Sequence, residues 1–138
     1  MKTAVIAAVF AFSAWEGFAM ESLSDLTWRN RVVIVFGAAA DQKLVQQIEI
    51  LKRQEDQLAD RDIVVIRVSS DDAEIVYGNA HGIDAVGLKQ DIDATGKVFQ
   101  VVLVGKDGGV KLRSEKVVSD VEMFDIIDRM PMRQSGRR

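Results

Sequence analysis

Few residues in this chain could do chemistry, and the absent ones decide as much as the present ones. No cysteine occurs, which removes disulfide exchange, thiolate nucleophiles, thiolate-bound zinc and iron–sulfur clusters together. The single histidine, His81, sits between Ala80 and Gly82 with no partner placed by the sequence, so it reads as a surface residue. Asp71, Asp72 and Glu74, with Asp91 and Asp93 further on, lack the offsets of a calcium loop and read as solvated loop acids. Gly105-x-x-Gly108 and Gly78-x-x-x-Gly82 are too sparse for phosphate loops. No metal and no cofactor is expected. Two segments hold more. Gly37-Ala-Ala-Ala-Asp41 leads from an apolar run into a helix, where Asp41 serves either as N-cap or as a cleft carboxylate. Lys106-Asp107-Gly108-Gly109, followed by Lys111 and Arg113 on one face of a strand, pairs a glycine turn with cationic side chains. Outward-facing N–H groups and cations can hold an anion or dock a partner. Equally, an Asp-Gly turn closes a hairpin, and Lys and Arg protect an edge strand. The candidate binding residues are therefore Asp41, Lys106, Asp107, Gly108, Gly109, Lys111 and Arg113.

The chain that must position them has 138 residues and a net charge of −3, from 18 basic and 21 acidic residues. That suits one domain, and without a basic excess a dedicated nucleic-acid binder is not expected. Lys2, the apolar run Thr3–Trp15 and the small residues Gly17 and Ala19 form a secretory signal over residues 1–19, cut before Met20. The run of 13 apolar residues is shorter than the roughly 20 that cross a bilayer. The mature domain, 20–138, is expected in the periplasm or outside the cell, with no transmembrane segment.

After a lead-in through Trp28, read with Phe36 as core or staple, Arg31–Phe36 is apolar on both faces and suits a central strand. Asp41 opens a helix with Leu44, Val45, Ile48, Leu51 and Leu58 on one stripe, and with Gln46, Gln47, Lys52, Arg53, Glu55 and Asp56 towards water. Asp62–Val68 is a second buried strand. Between Ser69 and Lys97 the pattern gives a short strand at Ile75–Tyr77, a Gly78-Asn79 turn and a helical turn at Val86–Ile92. Val98–Val104 and the alternating Val110–Arg113 form a hairpin, the second strand at an edge. Ser119-Asp-Val-Glu122 is a capping box, and Val121, Phe124, Ile127 and Met130 stripe the last helix before Pro131 and a frayed basic tail at 132–138. The order β-α-β then β-β-α implies an α/β fold with a mixed four-stranded sheet flanked by helices, the order of the thioredoxin core.

The segments Trp28–Phe36, Arg61–Ile66, Val102–Arg113 and Ile127–Arg133 resemble the family called domain of unknown function 4174, with Gly105–Arg113 the most specific block. The resemblance covers nearly the whole mature chain, apart from a longer, glycine-containing stretch between Asp71 and Lys97. It implies a thioredoxin-like domain, often exported, with no established activity. Laid on the thioredoxin pattern, Asp41 and Leu44 occupy the two cysteine positions, and Val98-Phe99 stands where a cis-proline belongs. A carboxylate cannot exchange disulfides, so thiol oxidoreductase and thiol peroxidase chemistry are excluded. The leading expectation is an exported non-redox module that binds a protein or an envelope component. The alternatives are an enzyme with non-thiol chemistry in the cleft around Asp41, and a stress or adhesion factor acting through the basic hairpin face.

Overall fold

The computed structural model describes residues 21–94 and 98–131. The expected signal (1–19), the basic tail (132–138) and Thr95–Lys97 lie outside the described residues. β1 (Arg31–Phe36) and β2 (Ile63–Ser69) are runs of β-branched residues without a polar face, stable only between two covering layers. Both lie inside a five-stranded mixed sheet of order β3-β2-β1-β4-β5, in which β3 is Asp72–Tyr77, β4 Gln100–Val104 and β5 Val110–Ser114. β1 and β2 are parallel, with Val32 opposite Val64; β1 and β4 are antiparallel, with Val32 opposite Val104. Alternate side chains divide into two cores. Val32, Ile34, Val64 and Ile66 face a layer formed by Leu23 and Leu26 of the N-terminal segment and by α3 (Ala85–Ile92). Val33, Val35, Val65 and Leu103 face α1 (Gln42–Lys52), α2 (Glu55–Asp60) and α4 (Asp120–Asp128).

The expected mixed α/β sheet flanked by helices is present, with five strands where four were expected. The short strand read at Ile75–Tyr77 begins at Asp72, because Ser70 adopts φ 53° and closes a two-residue turn that pairs Ser69 with Asp72. Neither turn residue is glycine or asparagine, so the usual hairpin signature was missing. The single helix expected over Leu44–Leu58 is two, α1 and α2. Lys52-Arg53-Gln54-Glu55 contains no breaker, so packing and not propensity interrupts it. Gln47, read as solvent-facing, is fully buried: its Nε2 donates to Val118 O at 2.9 Å and its Oε1 accepts from Val118 N at 2.7 Å. Both halves of one amide thereby tie α1 to the segment before α4. In α4 the Ser119 cap forms as expected, accepting from Glu122 N at 3.1 Å, but Val121 is exposed and Met123 takes the buried place on the stripe. Trp28, expected as a core or staple residue, is 66% exposed.

Candidate functional site

The antiparallel pairing of β1 with β4 places the sequence-derived candidates at opposite ends of the sheet. Asp41 follows the C-terminal end of β1, whereas the Gly105–Gly109 turn follows β4, whose last residue Val104 lies opposite Val32 at the start of β1. Six strand residues separate the two ends, about 17–20 Å. At its end, the Asp41 carboxylate accepts from Lys43 N at 2.8 Å, the hydrogen bond of an N-cap. The hairpin end is built differently, around one lysine.

Lys106 is only 7% exposed. Its ammonium donates to Asp62 Oδ2 at 2.9 Å, and its carbonyl accepts from the backbone N–H of Trp28. Both partners have left-handed backbones, Asp62 at φ 54° and Trp28 at φ 70°. Such a conformation costs a non-glycine residue about 1–2 kcal/mol, and a bulky side chain tolerates it less well than Asp. Asp62 has compensation, since its carbonyl accepts from Arg31 N at 2.9 Å and from Asn30 Nδ2 at 3.2 Å. Trp28 gains little, because most of its indole stays in solvent. Holding a bulky residue in this region while leaving its ring uncovered is the pattern of a side chain kept for contact with something else. The ring borders a groove of about 210 Å³ whose walls include Arg31, Lys106, Lys111, Met130 and Pro131.

The turn itself is internally satisfied. Gly105 N donates to Gly109 O at 2.9 Å, Gly108 N to Gly105 O at 3.0 Å, and Gly109 N to Asp107 Oδ1 at 2.9 Å. Gly108 takes φ 85°, which only glycine adopts easily. The N–H groups of Gly108 and Gly109, which an anion site would need to face outward, are thus spent inside the turn, as the hairpin-turn alternative has it. Burial pushes the Asp107 carboxyl up, but the Gly109 N–H and the Lys111 ammonium outweigh it and hold its pKa below the ordinary carboxylate value. Lys111 reaches Asp107 Oδ2 at 2.9 Å. It does so because Leu103 pairs with Leu112 while Val104 pairs with Val110, leaving Lys111 as the extra residue of a bulge. Arg113 points instead to Gln100 Oε1 at 3.4 Å. Lys106, Asp107 and Lys111 therefore converge on the groove, with Gly108 and Gly109 shaping the turn beside it, while Arg113 and Asp41 do not join them.

The remaining acids are dispersed. Asp71 pairs with Lys89 at 2.7 Å, Glu74 pairs with Arg67, and Asp91 accepts from Ser22 N at 2.9 Å. Among the described residues no group of three or more His, Asp or Glu could hold a metal ion. The groove offers an aromatic face, an apolar wall and cations. That equips it to bind. Sequence reasoning missed Trp28 and Asp62, since a left-handed backbone at either leaves no compositional trace.

The chain belongs to the family described as Domain of unknown function (DUF4174), whose model matches residues 22–136 and so takes in every wall of the groove from Trp28 to Pro131. No curated protein and no solved structure gives a significant match to it. No helix among the described residues is long and apolar enough to cross a membrane.

Proposed function

We propose that this chain is an exported, non-redox, thioredoxin-like domain that binds a protein or envelope component through the Trp28–Lys106 groove. The thioredoxin-like reading is supported by the strand order β2-β1-β4-β5, with β1 and β2 parallel, β4 antiparallel to β1, and β5 antiparallel to β4. Export is supported by the Lys2-to-Ala19 pattern alone. The observation that carries the binding role is Trp28, 66% exposed and held at φ 70° by its N–H bond to the buried Lys106. Exposed aromatics in fixed positions beside a groove anchor interfaces, because they bury large area at little entropic cost. A photoreactive benzoylphenylalanine at position 28, expressed in the native host, tests this. A discrete adduct from position 28 and none from a control at Val121, which is 73% exposed on α4, is the expected result. Equal labelling from both positions would sink the proposal.

A further inference from the structure

The paired charges of the groove also indicate what its occupant looks like. We infer that it takes an uncharged sugar ring of an envelope glycan, stacked on the Trp28 indole and hydrogen-bonded through its hydroxyls to Lys106, Asp107 and Lys111; this rests on the groove being the binding site proposed above. Both lysines of the groove are matched, Lys106 by Asp62 at 2.9 Å and Lys111 by Asp107 at 2.9 Å. Arg31 is 1% exposed and donates to Arg61 O at 2.8 Å, so it adds no charge that a ligand can reach. A charged ligand of either sign would have to break one of these pairs to be neutralised. A neutral hydroxyl does not, because it has one donor and two acceptor lone pairs and can bond to either member of a pair. The pairs have capacity to spare. Each lysine spends one of its three ammonium hydrogens, on Asp62 and on Asp107, among the described residues. Lys106 is only 7% exposed, and a buried donor without a partner costs free energy that a ligand acceptor recovers. The Asp107 carboxylate accepts from Gly109 N and from Lys111, which fills two of its about four lone-pair sites.

The indole supplies the stacking surface. Among the described residues no cation or second ring lies on it, since the cation–π contact of the fold joins Arg61 to Phe124. The negative face of an aromatic ring attracts the slightly positive C–H face of a pyranose. The bond from Trp28 N to Lys106 O sets the indole beside the lysine, so a single ring meets both. The groove, about 210 Å³, holds one such ring and is small beside the roughly 300–1,000 Å³ pockets that enclose larger ligands. A peptide fits less well. An extended segment docks through main-chain hydrogen bonds, and here the N–H groups of Gly105, Gly108 and Gly109 are spent on Gly109 O, Gly105 O and Asp107 Oδ1. An anionic lipid surface is recognised by clusters of about four to eight Lys or Arg, whereas the cations within reach here are two lysines, each paired.

The test uses the full chain carrying Trp15→Phe, which leaves Trp28 as its only tryptophan and its emission as the reporter. Maltose, cellobiose and N,N′-diacetylchitobiose are each titrated to about 50 mM, which covers the millimolar affinity of one stacked ring with a few hydrogen bonds. Sorbitol, which has the hydroxyls without the ring, is titrated alongside, as are N-acetyl-Phe-amide and phosphatidylglycerol vesicles. The inference expects a saturable emission change with at least one disaccharide and none with sorbitol. It expects affinity for that disaccharide to fall at least about fivefold in Lys111→Ala, which loses a charged donor, and to stay within about twofold on raising salt to about 0.5 M. Lys111 is chosen because Lys106→Met would leave Asp62 without its ammonium and risk the fold. No saturable change with any disaccharide, an equal response to sorbitol, saturation by the peptide or vesicles in place of the sugars, or full affinity in Lys111→Ala would each overturn the inference. An adduct from position 28 that persists in any of these cases leaves the binding role standing with a different ligand. Loss of the adduct as well removes both.

Discussion

At the residue scale, the structure sets backbone comfort against exposure at Trp28. Trp28→Gly removes the left-handed penalty, about 1–2 kcal/mol, but also the contacts of the third of the side chain that is covered. The two effects are of similar size and opposite sign, so we expect the variant to melt within a few degrees of the parent while losing the groove's aromatic face. A melting point lower by more than about 10 °C would show that the indole is structural after all. Asp107 gives a pH signature. Its folded pKa lies below the ordinary carboxylate value, so its contribution is present above the unfolded value near 3.9 and is lost as pH falls through the folded pKa. The group is nearly half exposed and its ion pair is screened, so the effect stays under about 1 kcal/mol. Urea unfolding of the parent should therefore lose slightly more stability between pH 5 and pH 2 than that of Asp107→Asn. Parallel curves would contradict the Asp107–Lys111 geometry.

Elements that the sequence marks by continuous apolar runs and caps are where reading it succeeds. β1 and β4 lie within the expected runs, β2 overruns its run by Ser69 alone, and the Asp41 and Ser119 caps form as the residue types dictate. It fails where tertiary packing overrides a local signal. Gln47 is the clearest instance, since a polar residue among solvated neighbours is buried only because Val118 presents both a donor and an acceptor to it. Gln47→Leu keeps the volume and leaves both Val118 groups without partners, which should cost about 2–4 kcal/mol in chemical denaturation. The turn before β5 is the opposite case, legible in type but not in use. Its Asp-Gly chemistry was visible, while the bulge that turns Lys111 towards the groove and away from Arg113 depends on the register of β4 against β5. Gly108→Val should destabilise by about 1–2 kcal/mol because its φ is 85°, whereas Lys111→Ala with Arg113→Ala should change stability by no more than about 1 kcal/mol. A double variant that unfolds early would mean that the two cations hold the edge strand in place.

Across the whole molecule, the sheet divides possible functions between its two ends. The end that follows β1 has Asp41 as a cap, and the other end carries the aromatic, the buried lysine and the groove. The candidate site was half legible for that reason: Lys106, Asp107 and Lys111 are close in sequence, but Trp28, Arg31 and Asp62 reach them only through the parallel β1–β2 pair and the antiparallel β4. Export, expected from residues 1–19, is checked by the mass of the protein recovered outside the cytoplasm, which should begin at Met20. The claim on which the rest depends is that the Trp28 groove is the binding surface. Its most direct test is retention of envelope partners by the immobilised parent and by Trp28→Ala, after melting curves have shown both to be folded. The account predicts that a partner held by the parent is lost or weakened by at least about tenfold in the variant, as expected for a central aromatic anchor. Retention of the same partner with unchanged affinity by folded Trp28→Ala would contradict it.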